Sequence, residues 1–235
     1  MTMRLTAVGF DADDTLWHNE RFFRITQDRF AALLADHAEA DDLSARLLAA
    51  ERRNLGRYGF GVKGFVLSMI ETAIEVTDAR VPAGVIAELM AAGRDMLEHP
   101  IELLPHAREA VEAVADRYRV VLITKGDLLH QERKLAQSGL GDLFDAVEIV
   151  SEKTPEIYAR IFDRHSDGAE SALMVGNSLR SDVIPPIVAG GWGVHVPHGL
   201  EWAIEAAEAP AEHARFRRLP HLGDLLPLID WIDGA

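Results

Sequence analysis

The stretch Val8-Gly9-Phe10-Asp11-Ala12-Asp13-Asp14-Thr15-Leu16-Trp17 decides how this chain is read. Apolar residues over 5–10 make a brief buried strand, and three carboxylates then fall within four positions. Carboxylates a few ångströms apart repel and raise one another's pKa unless a cation or a proton lies between them. A hard divalent cation resolves that conflict, and Mg2+ typically takes one or two carboxylates plus substrate phosphate. The strand tip therefore reads as a Mg2+ site. For the stretch alone, an Asp-rich turn capping the next helix is the duller alternative.

Outward from this tip, residues 18–97 read as an almost wholly helical block. Amphipathic stretches open at Asn19, recur over 40–55 and 62–76, and end over 82–97 with Pro82 near the first turn. Phe22, Phe23, Phe30 and Phe65 read as this block's own core, and four consecutive helices suffice for a small bundle. The pattern changes at Pro105. Strands are expected over 119–124, 146–150, 172–175 and 192–196, with helices over 106–118, 128–138 and 155–165. A further helix follows Ser178, shortened or kinked by Pro185-Pro186, and a surface helix is expected over 202–211. Such alternation indicates βαβ units and a parallel sheet covered on both faces. The first strand has no partner nearby and must join this later sheet. The expected fold is α/β: a doubly wound parallel sheet from residues 1–17 and 98–235, with an all-α cap domain, 18–97, inserted over the strand tips. Open α/β sheets bind ligands at those tips.

Composition narrows the function. At 235 residues, 48% hydrophobic and 26% charged, the chain matches an ordinary globular protein. No apolar run reaches a membrane span, and no apolar leader precedes the first strand. The absence of cysteine excludes disulfides and thiolate metal sites and is compatible with a cytoplasmic location. A formal charge of −14 without a basic run argues against nucleic-acid binding. An anionic substrate must then be held by local charge.

At the expected carboxyl ends of the strands stand Asp11 and Asp13, then Thr124, then Lys153, then Gly176-Asn177-Ser178 with Asp182 beyond. Convergence of these groups from 170 residues of sequence is the strong signal. Together the stretches resemble the haloacid dehalogenase-like hydrolase superfamily, phosphatase branch, with a type C1 helical cap. Asp11, Asp13 and Thr15 match its first motif, Thr124 its second, Lys153 its third, and Gly176 to Asp182 its fourth. One position departs: Asn177 stands where that family usually carries a metal-binding Asp. The resemblance implies a Rossmann-like core and a Mg2+-dependent phosphomonoester hydrolase acting on a small phosphorylated metabolite. Asp11 would be the nucleophile that forms an aspartyl-phosphate, and Asp13 the general acid and base. Lys153 and Thr124 would hold the phosphoryl oxygens. Asp11, Asp13, Asn177 and Asp182 are the implied metal ligands.

Each residue has a plainer role open to it. Thr124 can simply end a strand, Lys153 can be a solvated lysine before the Thr154-Pro155 helix start, and Asn177 and Asp182 can cap a helix. Lys125, Gly126 and Asp127 read as a helix start rather than as substrate contacts. Trp17 and His18 could line the substrate entrance or pack a hinge. His195 and His198 lack a visible third ligand and read as loop residues. Specificity is expected from the loop around Arg57-Tyr58-Gly59-Phe60-Gly61 and Lys63. A phosphomutase keeps both Asp11 and Asp13, so the motif leaves it open. Dehalogenation is disfavoured because dehalogenases place another residue type at the position of Asp13. A non-catalytic phosphate-binding protein is encouraged only by Asn177.

Overall fold

The computed structural model describes residues 4–200 and 202–234. Six strands, β1 (Ala7–Phe10), β2 (Arg119–Lys125), β3 (Ala146–Val150), β4 (Ala172–Gly176), β5 (Trp192–His195) and β6 (Phe216–Arg218), form one parallel sheet ordered β3-β2-β1-β4-β5-β6. The helices among the described residues are α1 (Glu20–Leu33), α2 (Ala40–Tyr58), α3 (Val62–Val76), α4 (Ala83–Glu98), α5 (Ala107–Ala115), α6 (Leu128–Ser138), α7 (Pro155–His165), α8 (Ile184–Val188) and α9 (Leu225–Gly234). This is a Rossmann-like core with a helical cap.

Two compact units divide the chain. One takes in the residues through Asn19, Ile101–Lys125 and Gln131 onward; the other takes in Glu20–Pro100 and Gly126–His130. The first strand is central in the sheet, with Phe10 opposite Leu122 on one side and Val175 on the other. Alternation along the strands supplies two apolar faces. Val8, Phe10, Leu122 and Val175 pack with Val111 and Val114 of α5 and Leu225 and Ile229 of α9. Val121, Ile123 and Met174 pack with Tyr158, Ile161 and Phe162 of α7 on the other side. All the strand tips therefore present their carboxyl ends at one edge.

The helical unit has its own core of Phe30, Leu34, Leu43, Leu47, Phe65, Met69 and Leu89, with Phe22 and Phe23 partly buried against it. Pro82, fixed near φ −63°, sets up the first turn of α4. α2 runs to Tyr58, three residues past the expected end. It stops at Gly59, whose φ of 72° suits glycine and ends the helix.

One expectation fails, and another is met in the form the prolines impose. No helix forms over 202–211, where the chain is turn and irregular backbone. Helix propensity is a weak preference that tertiary contacts override; here Ile204 is buried and Glu205 is captured by polar groups of the core. After Ser178 the chain makes a π-helical turn, Leu179–Val183, before the five-residue α8. Pro185 and Pro186 lack the N–H groups that a continuous helix would use, so the regular helix can start only there. Strand β6 and helix α9 lie beyond any element that the sequence pattern singled out.

Candidate active site

The backbone makes the site before the side chains do. Asp11 N still donates to Val175 O (3.0 Å), which keeps Asp11 in sheet geometry one residue past β1. The chain then turns tightly, with Thr15, Leu16 and Trp17 N–H groups all directed at Ala12 O (3.3, 2.8 and 3.4 Å). Asp14 takes the left-handed conformation, φ 61°, that Asp tolerates better than most residues. Asp11 and Asp13 therefore leave the turn from fixed positions.

Asp11 is buried. Lys153 Nζ lies 2.6 Å from Asp11 Oδ1 and 2.6 Å from Asp182 Oδ1, so one ammonium sits between two carboxylates. Thr15 Oγ1 donates to the other Asp11 oxygen (2.9 Å). Burial, then repulsion from Asp182, raise the Asp11 pKa to about 7, although Lys153 opposes both. Burial alone would lower the Lys153 pKa; Asp11 and Asp182 outweigh it and hold the ammonium well above its ordinary value. Asp182 also accepts from Ser178 N (3.0 Å). A β-carbon at Gly176 would collide with the Asp182 carboxylate, so glycine at the tip of β4 is what admits this group.

Asp13 points elsewhere. Both its oxygens accept from Lys134 Nζ (2.8 and 2.9 Å), one from Trp17 Nε1 (2.7 Å) and the other from Gln131 Nε2 (3.1 Å). Burial would raise its pKa, but Lys134 first and these donors with it bring the net pKa below the ordinary carboxylate value. Gln131 Nε2 also donates to Thr124 Oγ1 (3.0 Å), which joins the tip of β2 to Asp13. Lys125, next in the chain, is bound by Glu205 (2.7 Å) and Ser181 (2.8 Å). Glu205 in turn accepts from Ser178 Oγ (2.6 Å), and its pKa lies below the ordinary value because Lys125 and these hydroxyls outweigh its burial.

Asn177 completes the cluster. Its N–H donates to Thr15 Oγ1 (3.0 Å). One end of its amide faces Asp13 O (3.2 Å), Thr15 Oγ1 (3.3 Å) and Asp11 Oδ2 (3.3 Å), and with the nitrogen turned inward it donates to all three. With the oxygen turned inward, oxygens from Asp11, Asp13 and Asn177 converge on one point. Hard oxygen donors in that number suit Mg2+. The repulsion from Asp182, which after burial is the next cause of the raised Asp11 pKa, suits it as well. The residues present therefore fit Mg2+, which Asp11 Oδ2, the Asp13 carbonyl and the Asn177 amide oxygen would hold. The Asp182 oxygens are engaged by Lys153 and Ser178 N.

The structure thus brings Asp11, Lys153 and Asp182 into one ion-paired group, sets Asn177 beside Asp11 and the Asp13 backbone, and ties Thr124 to Asp13 through Gln131. Sequence reasoning missed Gln131, Lys134, Trp17 as a donor, and Glu205. Gln131 and Lys134 are spaced three apart on α6 and are both buried, which is the one signal available: two polar residues on a face that should be apolar. Lys63 pairs with Asp127 (2.8 Å), and Asp127 Oδ1 accepts from His130 N, as a helix start should. The reading of His198 as lacking a third ligand is corrected: His18 and Asp14 stand beside it, because the turn after β1 brings both back toward the β5 loop. His195 instead bonds the Asn177 carbonyl oxygen through Nε2 (3.0 Å).

Comparison with known proteins gives a consistent picture. Residues 5–190 match the haloacid dehalogenase-like hydrolases. A haloacid dehalogenase-like family hydrolase from Xanthomonas campestris is 46% identical, with 98% of this chain and 92% of that one covered and a TM-score of 0.87. A predicted phosphoglycolate phosphatase from Haemophilus somnus is similar in fold at 18% identity, with 95% and 97% covered and a TM-score of 0.64. So is an L-2-haloacid dehalogenase from Xanthobacter autotrophicus, at 19% identity, 96% and 98% covered and a TM-score of 0.63. No curated protein matches the chain.

Proposed function

This chain belongs to the haloacid dehalogenase-like hydrolases, and from that premise we propose that it is a Mg2+-dependent phosphomonoester hydrolase of small phosphorylated metabolites. The observation that carries the reading is a second carboxylate, Asp13, two residues after Asp11 and held by its own lysine. Displacement at carbon has no use for it. Phosphoryl transfer to Asp11 needs a group that first protonates the leaving oxygen and then takes a proton from water.

In this reading Asp11 attacks phosphorus, and the aspartyl-phosphate is then hydrolysed. Lys153, 2.6 Å from Asp11 Oδ1, and Thr124 hold phosphoryl oxygens on which charge is concentrated. Asp13 rests ionised on Lys134, Trp17 and Gln131, so it is poised as the base of the second step. Its acid role in the first step requires a proton and release of at least one of these partners. Asp11 has the opposite problem, since burial and then Asp182 raise its pKa and so favour its protonated form. Asp11, the Asp13 carbonyl and Asn177 would hold Mg2+, which would supply positive charge to keep the nucleophile ionised and screen the phosphoryl oxygens. Mg2+ dependence follows from that charge balance.

One observation favours a second reading. With its nitrogen inward, the Asn177 amide satisfies Asp11 and the Asp13 carbonyl without any metal, as metal-free dehalogenation at carbon by Asp11 would need. Hydrolysis of an aryl phosphate and of 2-chloropropionate, each with and without Mg2+, separates the two. Mg2+-dependent phosphate release without chloride release supports the proposal; metal-independent chloride release overturns it.

A further inference from the structure

A second group of metal-ligand type lies beside the oxygen cluster and shares none of its side chains. Asp14, His18 and His198 each offer one ligand atom, and these atoms lie within 4.8 Å of one another. His198 Nδ1 is 3.6 Å from Asp14 Oδ1. Two ligands sharing a tetrahedral zinc, with bonds of about 2.0–2.1 Å, stand about 3.3 Å apart, so this pair is already close to ligation distance. The rings of His18 and His198 meet edge to face, with centroids 5.8 Å apart at 68°, and do not stack.

Backbone contacts hold the positions. Asp14 N donates to Trp17 O (2.7 Å), Asn19 N to Asp14 Oδ1 (2.9 Å) and His18 N to Glu102 O (3.0 Å). Val196 N donates to Gly176 O (2.9 Å), and Pro197 then restricts the backbone leading to His198. The Asp14 side chain is 7% exposed and that of His198 14%, so the group is sheltered yet reachable from solvent. Two imidazoles and one carboxylate select differently from the all-oxygen cluster at Asp11. Imidazole suits zinc and other first-row transition metals, whereas carbonyl and carboxylate oxygens suit Mg2+. Three protein ligands and a water are the usual complement of an open zinc site.

We propose that Asp14, His18 and His198 bind one divalent transition metal of the zinc class, with water completing its shell. The metal clasps the turn that carries Asp13 to the loop after β5, and its role is to position that turn. The proposal stands independently of the reaction assigned to Asp11.

The test uses the full-length protein, stripped of metal and then given Zn2+ in the presence of excess Mg2+, with bound zinc counted by elemental mass spectrometry after desalting. Wild type and Asp11→Asn should each retain one equivalent. His18→Ala and His198→Ala should lose it, since removing a ligand costs more than the roughly 10–100-fold that loss of an outer-shell partner does. His198→Gln serves should the alanine variant fail to fold, and His37→Ala, on the exposed surface of the helical unit, should retain the metal. Co2+ gives a second readout, an intense visible absorption in wild type that is absent from the His18 and His198 variants. Zinc absent from wild type, or retained equally by His18→Ala and His198→Ala, overturns the site. Loss of zinc in Asp11→Asn instead would place the metal in the oxygen cluster and overturn it too.

Discussion

Lys134→Met is the most informative single change, because it acts on Asp13 without touching the nucleophile. Methionine keeps most of the buried aliphatic stem and removes the ammonium. In the native arrangement that ammonium lies 2.8 and 2.9 Å from the two Asp13 oxygens, with the side chains 8% and 23% exposed. Unit charges about 4 Å apart interact by about 4 kcal/mol at an effective dielectric near 20. Partial exposure of Asp13 brings that to about 2–3 kcal/mol, and its loss raises the Asp13 pKa. The sign with pH is fixed by the direction of the native shift. Asp13 has a depressed pKa in the fold, so its contribution is present above its ordinary value near 3.8 and is lost as pH falls through the folded value. In the variant the same carboxyl is buried without its cation, its pKa rises, and the folded state gains stability as pH falls. Denaturant unfolding of both proteins should give a gap of about 2–3 kcal/mol at pH 7.5 that narrows steadily toward pH 4. A gap that is independent of pH, or one below about 0.5 kcal/mol at pH 7.5, would refute the assignment of Lys134 as the clamp on Asp13.

Three further outcomes are expected. Lys153→Met leaves Asp11 and Asp182 facing each other without their shared cation; it should cost about 3–5 kcal/mol in unfolding experiments and reduce kcat by at least about 100-fold. Gly176→Ala places a methyl group against the Asp182 carboxylate, and overpacking of this kind should cost about 1–3 kcal/mol in thermal unfolding, with activity falling alongside. Asp11 carries the reverse pH signature of Asp13, because its raised pKa gives stability that is present near pH 4 and lost as pH rises through about 7. Without metal, Asp11→Asn should therefore gain on wild type between pH 5 and pH 8 by about 3 kcal/mol, as read from unfolding curves at the two pH values; Mg2+ should shrink that gain.

Much of the core was legible because it rests on local rules. A short apolar run ending in Asp11 reads as a strand tip, β-branched runs such as Val120-Val121 read as buried strands, and the Thr154-Pro155 pair correctly marks the start of α7, where Thr154 Oγ1 accepts from Ile157 N (3.3 Å). What stayed hidden depends on contacts between distant segments. Lys134 looks like an ordinary surface lysine of an amphipathic helix until α6 is seen to turn it under Asp13. Glu205 lies in an Ala/Glu-rich stretch whose helix propensity is genuine, but a carboxylate taken up by Lys125, Ser178 and Ser181 outweighs propensities worth a few tenths of a kcal/mol per residue. His18 and His198 are 180 positions apart, and no spacing rule joins them. Asn177 reads as a lost charge in the sequence; in the structure its amide stands at the centre of the oxygen cluster, able to present either a donor or an acceptor.

The most direct test of the central claim is to trap phosphate on Asp11. Asp13→Asn should be mixed with an aryl phosphate whose leaving group needs no protonation, in the presence of Mg2+, quenched within the first turnover and digested for mass spectrometry. Formation then proceeds without the acid while breakdown lacks its base. The account predicts that the peptide carrying Asp11 gains the mass of one phosphoryl group, and that the gain is absent from the Asp11→Asn, Asp13→Asn double variant. Aryl phosphate turnover with phosphate on any other residue, or undiminished turnover in Asp11→Asn, would contradict it.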